Sequence, residues 1–79
     1  LDIYEIAPSM RLLITMHNAS VVDAGSAKSA EELNSLMDLP KPELTKALDE
    51  LVAYGYVELS SPGYYLTKLG ISVIRSVYT

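Results

Sequence analysis

The chain has 79 residues, close to the lower size at which a domain is held by its own core, and 49% of them are hydrophobic. It has no cysteine, which excludes disulfides and thiolate metal sites and suits a cytoplasmic protein. Six basic residues against ten acidic ones leave a net charge of −4, the opposite of the basic footprint by which a nucleic-acid binder is normally recognised. No apolar run approaches the ~20 residues that a membrane span needs, and no signal-peptide layout is present, so no membrane partner is expected. A first residue of leucine reads as the start of a processed or excised segment.

In chain order, Leu1 to Ala7 is short and mixed, with Ile3, Tyr4 and Ile6 apolar. Pro8 and Ser9 open a first helix that carries Met10, Leu12, Leu13, Ile14, Met16 and Ala19. A helix apolar over most of its circumference is deeply buried or lies in a subunit interface. Residues 18–28 read as a loop with a short strand at Val21–Val22. Ser29 and Glu32 then form a capping box, in which the serine oxygen takes an orphan amide and the glutamate returns the bond. Leu33, Leu36 and Met37 make the apolar stripe of the second helix. Asp38-Leu39-Pro40 interrupts it, because proline removes a helix donor and drives its predecessor out of the α region.

A third helix follows at once, Pro40 to Tyr54, with Leu44, Ala47, Leu48, Leu51 and Val52 spaced as one helical face. Proline is accepted in its first turn, and Gly55 ends it in the left-handed conformation. The break is too short for the two helices to lie flat and antiparallel, so residues 29–55 make a helix-turn-helix corner. Residues 56–66 form a hairpin. Tyr56-Val57-Glu58-Leu59 is the outgoing strand and Tyr64-Tyr65-Leu66 the return, around a type II turn with Pro62 at its second position and Gly63 at its third. Thr67 caps a last helix over 67–78. Its Ile71, Val73, Ile74 and Val77 are β-branched, so a C-terminal strand competes with it. The expected core is Leu12, Leu13, Met16, Leu33, Leu36, Leu44, Leu48, Leu51, Val57, Leu59 and Leu66.

Residues able to carry catalysis are few. His17, the one histidine, stands among the apolar residues of the first helix, while a metal site needs several convergent ligands. A solvated or hydrogen-bonded structural histidine is the expected reading. Glu31-Glu32 and Asp49-Glu50 are sequence neighbours that diverge on a helix, so solvated faces account for them. Ser9, Ser60 and Ser61 have no base at motif distance, and no glycine-rich phosphate loop is present. Neither catalysis, nor a cofactor, nor a metal is expected.

The order of these pieces resembles a winged helix-turn-helix domain. The matching stretches are Ser29-Ala-Glu-Glu-Leu33, Asp38-Leu39-Pro40-Lys41-Pro42-Glu43-Leu44, Ala47-Leu48 through Leu51, Tyr54-Gly55-Tyr56-Val57, the Ser60-Ser61-Pro62-Gly63 turn, and Leu66-Thr67-Lys68-Leu69-Gly70. The likeness spans about 42 of the 79 residues, 29 to 70. It implies an α+β fold with a three-helix core, a β-hairpin wing and a C-terminal helix, in a single domain over residues 1–79. It also implies double-stranded DNA binding by a transcriptional regulator, with the third helix in the major groove. Lys41, Pro42, Thr45 and Lys46 would then face base edges and phosphates. Lys28 and Ser29 would meet the backbone, and Ser60, Ser61 and Tyr64 of the wing would reach a flanking phosphate.

Against this, the wing tip carries no Arg or Lys, and residues 29–55 hold two lysines against six acids, so the whole net charge falls within them. Counting Lys28, Lys41 and Lys46, about three phosphates are neutralised per chain, and useful affinity requires a homodimer, placed by apolarity on the first and last helices. The rival reading is a winged-helix protein-interaction module. It draws on the acidic third helix and on Tyr54, Tyr56, Tyr64 and Tyr65, since tyrosine is favoured in interfaces.

Overall fold

The computed structural model describes residues 7–60 and 63–78, without the side chains of 77 and 78. Helix α1, Pro8–Asn18, starts on a proline whose missing N–H costs nothing in a first turn. Leu12, Leu13 and Met16 are fully buried on it, while Met10 and Ala19 pack partly buried against the same core. Much of the apolar circumference is thus absorbed within the chain, while Ile14 is half-buried outside that cluster. Ser20, at φ 60°, turns the backbone out of the helix, and the Val21 amide still bonds back to the Met16 carbonyl at 3.0 Å.

The strand expected at Val21–Val22 does not form. Val21 is fully buried and its carbonyl accepts one bond from the Leu66 amide at 2.8 Å, but the chain then bends into a 3₁₀ turn, Ala24–Ser26. Asp23 causes this. Its carboxylate accepts from the Ser26 amide at 2.9 Å, and the Ser26 hydroxyl oxygen accepts from the amides of Val22 and Asp23, at 3.0 and 3.2 Å. Such local bonds compete directly with a β-ladder. Strand-like pairing is delayed to Lys28, which exchanges two backbone bonds with Tyr64, at 3.0 and 2.8 Å.

Helix α2, Ala30–Leu36, begins with the expected capping box: Ser29 N–H donates to Glu32 Oε1 at 3.0 Å, and the Glu32 amide donates to Ser29 Oγ at 3.2 Å. The Asn34 side chain donates to the Leu39 carbonyl at 2.7 Å and so ties the corner closed. Helix α3, Lys41–Tyr54, buries Leu44, Ala47, Leu48 and Leu51 and stops at Gly55, φ 81°. Strands β1, Val57–Leu59, and β2, Tyr64–Leu66, pair antiparallel in the register Val57↔Leu66, Glu58↔Tyr65 and Leu59↔Tyr64. Helix α4, Lys68–Tyr78, forms where the strand alternative competed, because Thr67 Oγ1 accepts from the Gly70 amide at 3.1 Å and donates to the Gly55 carbonyl at 2.6 Å. That cap sets the helical start and anchors it to the end of α3. Among the described residues the result is a small α+β fold of four α-helices and one two-stranded hairpin. No helix among the described residues is long and apolar enough to cross a membrane.

The turn differs from its sequence reading. Ser60 and Gly63 exchange both backbone bonds, at 2.7 and 3.1 Å, so Gly63 is the last residue of the turn rather than its third. Ser61 and Pro62 lie outside the described residues, as does the Val77 side chain. Gly63 is demanded twice over. Its φ is 155°, and a Cβ there would overlap the Lys28 carbonyl and come within 2.7 Å of Ser29 N. Gly70 carries a similar steric constraint, since a Cβ would collide with the Tyr56 carbonyl.

Nine of the eleven expected core residues are buried; Leu36 and Leu59 are not, at 47% and 58% exposed. Leu36 ends the seven-residue α2 beside a shallow cleft of about 320 Å³ lined by Thr15, Asn18 and Ala19. Leu59 is the last residue of β1, where the hairpin runs out past the core. Val21, Leu39, Ala47 and Ile74 complete the interior instead.

Two predictions follow from this packing. Leu48→Ala should cost about 2–5 kcal/mol in a chemical melt and Leu36→Ala less than about 1 kcal/mol; equal losses would contradict the core described. Gly70→Ala should lower the melting temperature by several degrees, whereas Gly25→Ala, whose Cβ would meet only Asp23 Oδ1 at an ordinary 3.4 Å, should leave it nearly unchanged.

Candidate nucleic-acid interface

Burial of Leu44, Ala47, Leu48 and Leu51 fixes how α3 is rotated. At 100° per residue, the line opposite that stripe is Pro42, Lys46, Asp49 and Ala53, and all four are exposed. Lys41, Thr45 and Val52 flank it on one side, Glu43 and Glu50 on the other. The outward surface of α3 therefore mixes two lysines with three acids.

Several expected contact groups are already engaged. Lys41 Nζ lies 3.2 Å from Glu31 Oε1 across the α2–α3 corner, with both side chains well exposed. The hydrogen bond from Lys41, together with its charge, holds the Glu31 carboxyl below its usual range. The pair is thus intact at neutral pH and opens only as the pH falls through that depressed value. Thr45 Oγ1 donates to the Lys41 carbonyl at 3.0 Å, which leaves only its acceptor side free. Ser29 is consumed by its capping box, and its bonds to Glu32 lower that carboxyl in turn. Ser60 Oγ donates to the Gly63 carbonyl at 3.0 Å.

Lys28, Ser29 and Tyr64 are brought together where Lys28 pairs with β2, all three half-buried. Lys41, Pro42, Thr45 and Lys46 share the exposed first half of α3. Ser61 lies outside the described residues. Among the described residues, Lys46 and Asp49 have no hydrogen-bonding or ion-pairing partner within the chain, and neither is engaged elsewhere.

Two features were not singled out from sequence, the cleft beside α1 and the partner of Lys41. A cleft of about 470 Å³ lies between the start of α1 and α3, lined by Ala7, Pro8, Ser9, Glu43, Lys46, Ala47 and Glu50, so Lys46 stands on its border. Glu31 became the partner of Lys41 through a contact ten residues away that no local pattern signals. On the hairpin, the Tyr65 hydroxyl donates to Glu58, which raises the tyrosine's pKa. That pairing follows from the hairpin register, which sets Glu58 opposite Tyr65. His17 is exposed in the last turn of α1. At the far end of α3, the rings of Tyr54 and Tyr56 are 5.6 Å apart, and Leu69, 53% exposed, overlies Gly55.

Comparison with protein-family models, with curated proteins and with solved structures finds no match for this chain.

Proposed function

We propose that this chain is a double-stranded DNA-binding domain of the winged helix-turn-helix type, acting in transcriptional regulation with α3 in the major groove and the β1–β2 hairpin as its wing. The observation that carries the reading is the outward line of α3: it is exposed along its length and holds an unpartnered lysine, Lys46, in the half that follows the corner. The N-terminal end of α3 adds to it. Pro40 provides no side-chain cap and Pro42 has no N–H, so the first-turn amides left for a phosphate are those of Lys41 and Glu43. Lys28 and Tyr64, joined through their backbones, would meet the flanking strand.

The charge balance limits this reading in a defined way. Lys46 and Lys28 are available as they stand, while Lys41 must exchange Glu31 for phosphate. Binding by one chain is accordingly weak and salt-sensitive, and a homodimer reading two half-sites would supply the rest. The reason for placing that dimer on α1 is weakened, since the large exposed apolar side chains are Val22, Leu36, Val52, Tyr54, Leu59 and Leu69.

A second reading, a protein-interaction module, is favoured by one specific observation. Tyr54 is 63% exposed with its ring 5.6 Å from that of Tyr56, and the exposed Leu69 lies beside Gly55, so apolar side chains gather at the end of α3 remote from its start.

Titration of the labelled chain with mixed-sequence duplex at about 50 mM salt separates the two. DNA binding predicts amide shifts confined to residues 28–29, 40–49 and 60–64, and their loss in Lys46→Glu with the fold unchanged. An absence of shifts at that salt would hand the case to the protein-interaction reading.

A further inference from the structure

Resting on the DNA-binding reading, we infer that Asp49 is a specificity-determining residue that accepts a hydrogen bond from a cytosine amine, so the preferred duplex carries a G·C pair at the position Asp49 faces. On the outward line of α3 Pro42 and Ala53 are apolar, and the polar groups are Lys46 and Asp49. Lys41 is tied to Glu31, and the Thr45 proton is given to the Lys41 carbonyl. On the outward line, sequence readout by hydrogen bonds therefore falls to Lys46 and Asp49, with the Thr45 hydroxyl oxygen on its flank left only to accept.

The two stand three residues apart on one line, a rise of about 4.5 Å, against about 3.4 Å between stacked base pairs. Side chains so spaced face neighbouring pairs when the helix lies along the groove. A lysine suits the guanine acceptors O6 and N7; a carboxylate has only acceptors, and in the major groove the cytosine amine is the donor it is suited to take. An acid at this position weakens binding to every duplex by repelling phosphates. Only where a cytosine amine meets it is that cost offset, and the discrimination arises there. Glu43 and Glu50 line the cleft against α1 together with Lys46, and Asp49 is the outward acid of α3 that does not.

Selection from a randomised duplex library at about 50 mM salt, with the wild-type chain and with Asp49→Asn, tests this. Asparagine prefers the N6/N7 edge of adenine. The wild-type chain should enrich a motif with neighbouring guanine and cytosine contacts, and Asp49→Asn should change cytosine to adenine at one position only, by about tenfold in preference. Asp49→Ala should lose the preference there and retain the rest of the motif. Identical motifs from the wild-type chain and both variants would overturn the inference and leave DNA binding standing. No enrichment by the wild-type chain would overturn the DNA-binding reading and the inference with it.

Discussion

Four side chains on one stripe of α3, Leu44, Ala47, Leu48 and Leu51, hold this fold together. Each buried leucine contributes about 1.5–3 kcal/mol, a large share of the stability of a domain this small. The stripe packs α3 against α1 and β1, and in doing so it fixes which residues face away. Once Leu48 points inward, Lys46 and Asp49 point outward. The core and the candidate interface are two consequences of one helix rotation.

Two glycines complete the frame by allowing backbones to touch. Gly63 lets the hairpin lie against residues 28 and 29, so Lys28 joins β2 as a third, one-residue rung of the sheet. Gly70 lets α4 close on Tyr56, beside the Thr67 hydroxyl that bonds both to Gly55 and to the first turn of α4. The hairpin is thereby tied at both of its ends, and its position relative to α3 follows from steric contact rather than from charge. The exposed pair Lys41–Glu31 adds little to this, because solvent screens it.

Much of this was legible in the residues themselves. Ser29 with Glu32, Pro40 before a helical stripe, Gly55 after it, and Thr67 three residues before Gly70 all act through local bonds, and each element boundary they imply is present in the structure. What escaped depends, with one local exception, on contacts distant in sequence. The Val21–Val22 strand lost to the Asp23–Ser26 bonds, a local competition that the β-branched pair concealed. Gly63 was recognised as a turn residue, but its steric need comes from residue 28, across the fold. Leu36 and Leu59 match the apolar pattern yet stand at element ends, where the core has run out. Within the candidate site, helical phase gave the exposure of Lys41, Thr45 and Lys46. That Lys41 is paired with Glu31 only three-dimensional proximity reveals, whereas the Thr45 hydroxyl is spent locally on the turn before it.

The central claim is that a nearly neutral helix face, supplemented by a few lysines, engages the DNA backbone. Its most direct test is the salt dependence of duplex affinity, measured from about 30 to 150 mM monovalent salt. Neutralisation by Lys28, Lys46 and a released Lys41 predicts a slope of log affinity against log salt of about −2 to −3 per chain. A slope near zero, or one steeper than about −5 per chain, would contradict the account.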